Sequence, residues 1–107
     1  MADQWVERFR EEAMPKIVEE YGPESVLIFG SRARGDAGED SDIDVIVVSS
    51  YFAEMPFLRR MPHVLRNVPF AKHVDYLCYT PEEYERIKDE SAIVMDAVED
   101  SVELMTK

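Results

Sequence analysis

Three acidic residues and one glycine turn are the parts of this chain whose types and spacing suit chemistry. Asp42 and Asp44 lie two apart in Ser41-Asp42-Ile43-Asp44, at the head of an apolar run. In an extended chain that spacing puts both side chains on one face. Two carboxylates held so close repel each other unless a cation lies between them or one takes up a proton. Hard oxygen donors suit Mg²⁺ or Mn²⁺ rather than zinc. Upstream, Gly30-Ser31 follows an apolar segment and opens Ser31-Arg32-Ala33-Arg34-Gly35-Asp36. A glycine there lets backbone approach a ligand closely, and the following amides and the Ser31 hydroxyl can cradle phosphate oxygens. Arg32 or Arg34 could add charge-assisted contacts. Asp75, inside Val74-Asp75-Tyr76-Leu77, is an acid in an otherwise apolar segment. Burying such a charge unpaired is costly, so its presence there calls for a reason.

Taken singly, each feature has a plain structural use. Ser41-Asp42 can cap a turn with Asp44 exposed, Ser31 can cap a short helix, and Asp75 can face solvent at a sheet edge. Taken together, a phosphate cradle beside a pair of carboxylates with a third on a neighbouring strand is the minimum equipment for moving a nucleotidyl group with divalent metal.

The elements that must position these residues are legible from periodicity. Residues 3–20 read as a helix, with Trp5, Val6, Phe9, Ala13, Ile17 and Val18 at helical spacing. Pro15 can kink or break it, and Gly22 in Tyr21-Gly22-Pro23 is placed to end it. Ser25–Phe29 reads as a short strand, and Ile43–Ser49, nearly all apolar and rich in β-branched residues, as a central strand. Residues 56–66 carry helical periodicity interrupted by Pro62. Residues 73–79 alternate as a third strand, with Val74, Tyr76 and Cys78 on one face and His73, Asp75, Leu77 and Tyr79 on the other. Thr80-Pro81-Glu82-Glu83 has the form of a capping box and starts a helix to about Asp89. A further helix is expected over Ala92–Val98 and an edge strand around Val102–Met105. The sum is an α/β (α+β) fold, a small mixed sheet flanked by helices.

At 107 residues, one domain spanning 1–107 is expected. Twelve Lys and Arg against 23 Asp and Glu give a net charge of −11, which argues against wrapping long DNA or RNA, where phosphate neutralisation supplies the affinity. A single nucleotide stays compatible, because a divalent metal supplies positive charge locally. The charge is uneven: residues 55–74 hold Arg59, Arg60, Arg66 and Lys72 with no acid, between two acidic regions. That stretch reads as a solvated helix face, or as a place for an anionic ligand or partner. A lone cysteine, Cys78, a polar N-terminus and no long apolar run fit a cytoplasmic protein without a membrane segment.

Gly30-Ser31-Arg32-Ala33-Arg34-Gly35, followed by Ser41-Asp42-Ile43-Asp44-Val45-Ile46-Val47, resembles the nucleotidyltransferase domain of the DNA polymerase beta superfamily. More narrowly it is similar to the minimal nucleotidyltransferases (MNT) found as antitoxins of HEPN–MNT toxin–antitoxin pairs. The similarity covers roughly residues 20–90 and extends to Val74-Asp75-Tyr76-Leu77-Cys78-Tyr79-Thr80-Pro81-Glu82-Glu83. The resemblance implies that Gly30 and Ser31, with Arg32 and Arg34 beside them, hold nucleotide phosphates. It implies that Asp42 and Asp44 bind two divalent ions, and that Asp75 is a further metal ligand or activates the attacking hydroxyl. The implied cofactors are Mg²⁺ or Mn²⁺, with ATP as nucleotide donor. The implied acceptor is a tyrosine of a HEPN-type partner, and assembly as a homo- or hetero-oligomer is compatible with this. Two other functions fit the same residues: a nucleotide-binding antitoxin that blocks its partner sterically, and transfer to a small molecule with a partner completing the pocket.

The remaining candidates have simpler readings. His63, His73 and Cys78 lack zinc-type spacing. His73, two before Asp75, is read as a surface residue with a supporting role the alternative, and Cys78 as a buried apolar residue. Tyr51, Phe52, Met55, Phe57 and Phe70 are read as core packing, with a partner surface the alternative.

Overall fold

A computed structural model describes residues 3–106. It contains a four-stranded sheet in the order β3-β2-β1-β4, built from β1 (Ser25–Phe29), β2 (Ile43–Val48), β3 (Val74–Tyr79) and β4 (Val102–Thr106). β1 runs antiparallel to both β2 and β4, whereas β2 and β3 are parallel. The expected long first helix is two: α1 (Gln4–Glu12) and α2 (Met14–Tyr21), broken at Ala13 just before Pro15. Pro15 sits in the first turn of α2, where a missing N–H costs nothing. Gly22 ends α2 in the left-handed conformation, as its position suggested.

α3 (Ser31–Arg34) is a single turn between β1 and the loop to β2. A 3₁₀ turn over Ser50–Phe52, not foreseen from periodicity, precedes α4 (Phe57–Asn67). α4 runs unbroken through Pro62. The carbonyl that Pro62 leaves without an N–H partner is that of Leu58, which is 86% exposed, so water can take the place of the lost bond. α5 (Pro81–Glu90) begins with the full Thr80–Glu83 capping box, and α6 (Ala92–Glu99) follows. No helix among the described residues is long and apolar enough to cross a membrane.

β2 is the central strand expected from its composition: every residue but Asp44 is buried. Ile43, Val45 and Val47 join Val74, Tyr76 and Cys78 in the larger core, under Phe9, Ile17, Phe52 and Val64. Ile46 and Val48 join Leu27, Tyr79 and Tyr84 in a smaller core on the opposite face, against α5 and α6. Asp44 has the parity of Ile46 and Val48, so it lies on the face of the smaller core, beyond the part α5 and α6 cover.

The aromatic patch divides. Phe52 is fully buried, Met55 and Phe70 pack against the core, and Tyr51 and Phe57 are about half exposed. The basic stretch divides too. Arg60 is buried, donating to the Met55 and Cys78 carbonyls and pairing with Glu83. Arg59, Arg66 and His63 line a groove of about 710 Å³ with Tyr51 and Leu58.

Candidate active site

Pairing registers bring the acids together. Antiparallel pairing sets Phe29, the last residue of β1, against Asp44. Parallel pairing sets Asp44 against Asp75. The end of β1 and the heads of β2 and β3 therefore meet at one corner of the sheet. His73 precedes Val74, the partner of Ile43, and its carbonyl accepts from the Ile43 amide 3.2 Å away. Asp42 and His73, just before β2 and β3, and Asp44 and Asp75, within them, thus come together as a square of side chains.

Distances within the square are uneven. Asp42, His73 and Asp75 each offer a donor atom, all within 4.8 Å of one another. His73 Nε2 lies 2.9 Å from Asp75 Oδ1. Asp44 stands behind this group, close enough that its carboxyl is pushed above the ordinary carboxylate range by burial, then by the charges of Asp75 and Asp42, with Arg34 opposing. Such mutual disfavour is what a bound cation relieves. The donor set fits a divalent ion that accepts oxygen ligands. The expected trio shares the corner, but its tightest grouping has His73 where Asp44 was expected.

Gly30 closes the other side. Its φ of +74° and ψ of −154° lie in a region only glycine occupies readily, and a Cβ there would stand 2.5 Å from Asp44 Oδ2. The Asp44 carboxylate thus packs against the Gly30 backbone and leaves no room there for a side chain. Ser31 is the first residue of α3, with Gly30 at the cap position, so Ser31 does not cap the turn with its side chain.

The two arginines have different surroundings. Arg34 is half exposed, paired loosely with Asp36 at 3.2 Å, and its charge reaches Asp44. Arg32 is buried: it donates to Asp3 Oδ2 at 3.0 Å and to the carbonyls of Gly38, Glu39 and Ser41 at 3.1, 3.2 and 2.8 Å. These bonds consume its terminal nitrogens, which corrects the phosphate-contacting role expected for it. Arg32 instead fastens the loop that delivers Asp42. A guanidinium can do so because its planar fork reaches several carbonyls at once.

Other expectations resolve simply. Cys78 is buried, and burial pushes its thiol up to about 12, which disqualifies it as a nucleophile. His63 lies away from the acids, its Nδ1 2.8 Å from the Tyr21 hydroxyl. The groove at α4 shares no lining residue with the acidic corner, where Asp42 and His73 are exposed and Asp75 is partly exposed.

An α+β frame with carboxylates at the strand heads beside a glycine turn defines a class of phosphate-handling transfer domains. A family model, the nucleotidyltransferase domain, matches residues 11–104, and the chain belongs to that family. It is similar to a candidate nucleotidyltransferase of Sulfolobus solfataricus, at 30% identity and a TM-score of 0.62, covering 96% of this chain and 87% of that one. It shares its fold with a toxin–antitoxin crystallised with AMP-PNP, at 15% identity and a TM-score of 0.52, covering 100% of this chain and 75% of that one. BolA1 of Arabidopsis thaliana has a related frame, at 22% identity and a TM-score of 0.50, covering 76% and 96%. The frame alone therefore does not define the chemistry; the side chains at the corner must. No curated protein matches the chain significantly.

Proposed function

We propose that the protein is a metal-dependent nucleotidyltransferase that moves a nucleoside monophosphate, AMP from ATP, to a hydroxyl of a partner protein, a tyrosine of a HEPN-type toxin, and so acts as an antitoxin. The observation that carries this reading is the contact of Gly30 with Asp44 at a position where Asp44 is paired with Asp75. A steric inhibitor has no use for clustered acids that raise one another's energy. The partner class is borrowed from the sequence resemblance and from the toxin–antitoxin whose fold the chain shares.

In this reading Asp42, Asp44 and Asp75 hold divalent ions, Mg²⁺ or Mn²⁺. Bound there, the metals supply charge stabilisation to the entering and leaving oxygens of an in-line displacement. Gly30, lacking a side chain, admits the triphosphate against the corner, with Ser31 beside it, and Arg34 adds exposed positive charge. The acceptor oxygen forms a bond to the α-phosphorus as the bond to the bridging oxygen breaks and pyrophosphate departs. Asp75 serves either as a further metal ligand or as the base that takes the hydroxyl proton. Arg32 acts by positioning the loop that carries Asp42.

Asp44→Asn tests the reading. Label from α-³²P-ATP should pass to a copurified partner with the native chain and fall at least about 100-fold with the variant, since a metal ligand is lost. Undiminished labelling would remove the metal assignment. Full toxin neutralisation by the same inactive variant would instead favour steric blocking.

A further inference from the structure

His73 occupies the fourth corner of the square, beside Asp42 across the strands and in the same face as Asp75. Resting on the reading of the acids as a metal site, we infer that His73 is itself a metal ligand, so that the corner binds Mn²⁺ in preference to Mg²⁺. Its Nε2 aims at the Asp75 carboxylate from 2.9 Å. A cation held by that carboxylate lies within reach of the same nitrogen. The donor atoms of Asp42, His73 and Asp75 fall within 4.8 Å of one another. Opposite ligands of a Mg²⁺-sized ion stand about 4.2 Å apart. The His73 and Asp75 side chains are each about half exposed. Small turns about their own bonds therefore bring the donors to ligand spacing without moving the backbone. Buried Arg32 fastens the Gly38–Ser41 loop and so the approach to Asp42 meanwhile.

Nitrogen among the donors changes which ion the corner prefers. Mg²⁺ demands oxygen ligands and gives up its waters reluctantly, whereas imidazole suits the first-row transition metals. Two carboxylates and an imidazole therefore give Mn²⁺ an extra bond that Mg²⁺ exploits poorly. With three carboxylates alone, the discrimination would be smaller.

The test needs no partner and no turnover. MnCl₂ is added to the intact chain and pulsed electron paramagnetic resonance reads ¹⁴N coupling to the bound ion, while calorimetry gives Mn²⁺ and Mg²⁺ affinities. The native chain should show ¹⁴N coupling. His73→Gln, at an exposed position that does not threaten folding, should abolish it. The variant should weaken Mn²⁺ about tenfold or more and Mg²⁺ less than about twofold. Bound Mn²⁺ without ¹⁴N coupling, coupling that survives in His73→Gln, or equal loss for both metals would each overturn the inference and leave the carboxylate site standing. Mn²⁺ affinity unchanged by Asp44→Asn would instead sink the underlying reading of the acids, as would failure of both ions to bind.

Discussion

Gly30 is the residue on which sequence, backbone and site chemistry meet most tightly. Its positive φ and the 2.5 Å approach of a built Cβ to Asp44 Oδ2 are two separate objections to any side chain. Gly30→Ala should cost roughly 2–3 kcal/mol in urea unfolding and depress nucleotidyl transfer together with it. Gly22 supplies a control, because it too has positive φ but open space around it. Gly22→Ala should cost only about 1 kcal/mol and leave transfer intact. Equal losses at the two positions would remove the close-contact argument. Asp44 makes the complementary case. Burial and the neighbouring charges of Asp75 and Asp42 disfavour its ionised form. Without metal, Asp44→Asn should therefore stabilise the protein while destroying transfer, a trade between stability and function. Solvent screens part of the repulsion, so the gain is put at roughly 0.5 kcal/mol, or about 2–4 °C at this size. A fall in thermal midpoint would contradict the electrostatic account.

Among the elements, α4, β3 and α5 are joined through buried Arg60, which pairs with partly exposed Glu83 and donates to the Cys78 carbonyl. The Arg60 hydrogen bond, outweighing burial, holds the Glu83 carboxyl below its ordinary value, helped by the Thr80 amide. A carboxylate with a depressed folded pKa adds stability that is fully present above its unfolded value and is lost as pH falls through the folded one. The urea midpoint should therefore drop as pH falls below about 4.5, and Glu83→Gln should flatten that drop while lowering stability at neutral pH. An unchanged acid limb in the variant would remove Glu83 from the account. Half of this arrangement was legible in sequence: Thr80 and Glu83 announce a capping box by their spacing. Arg60 was not legible, because it sits 23 residues away and its burial depends on how α4 lies against β3. The central strand was readable from Ile43–Val48, since an apolar β-branched run has few other uses. Pro15 and Pro62 look alike in sequence, yet one falls at a helix start and the other in a helix whose freed carbonyl belongs to exposed Leu58. Local pattern does not contain that distinction.

Across the whole molecule, local chemistry was readable and non-local register was not. Asp42, Asp44, Gly30 and Asp75 could be singled out because residue type and spacing already limit their uses. His73 was read from sequence as a surface residue, with a supporting role beside Asp75 as the alternative. Its place beside Asp42 follows only from the parallel pairing of β2 and β3, which lie about thirty residues apart in the chain. Arg32 and Arg34 are both arginines in one short motif, and only the folded loop separates a buried fastener from an exposed charge. The molecule carries a net charge of −11, and three of its acids, Asp42, Asp44 and Asp75, meet at the strand heads, so binding of polyphosphate at this corner depends on metal. The most direct test is anomalous diffraction from crystals grown with MnCl₂ and a non-hydrolysable ATP analogue. The account predicts manganese density within about 2.5 Å of carboxylate oxygens of Asp42, Asp44 and Asp75, with the analogue's phosphates against Gly30. Ordered analogue elsewhere, or manganese bound only outside this corner, would contradict it.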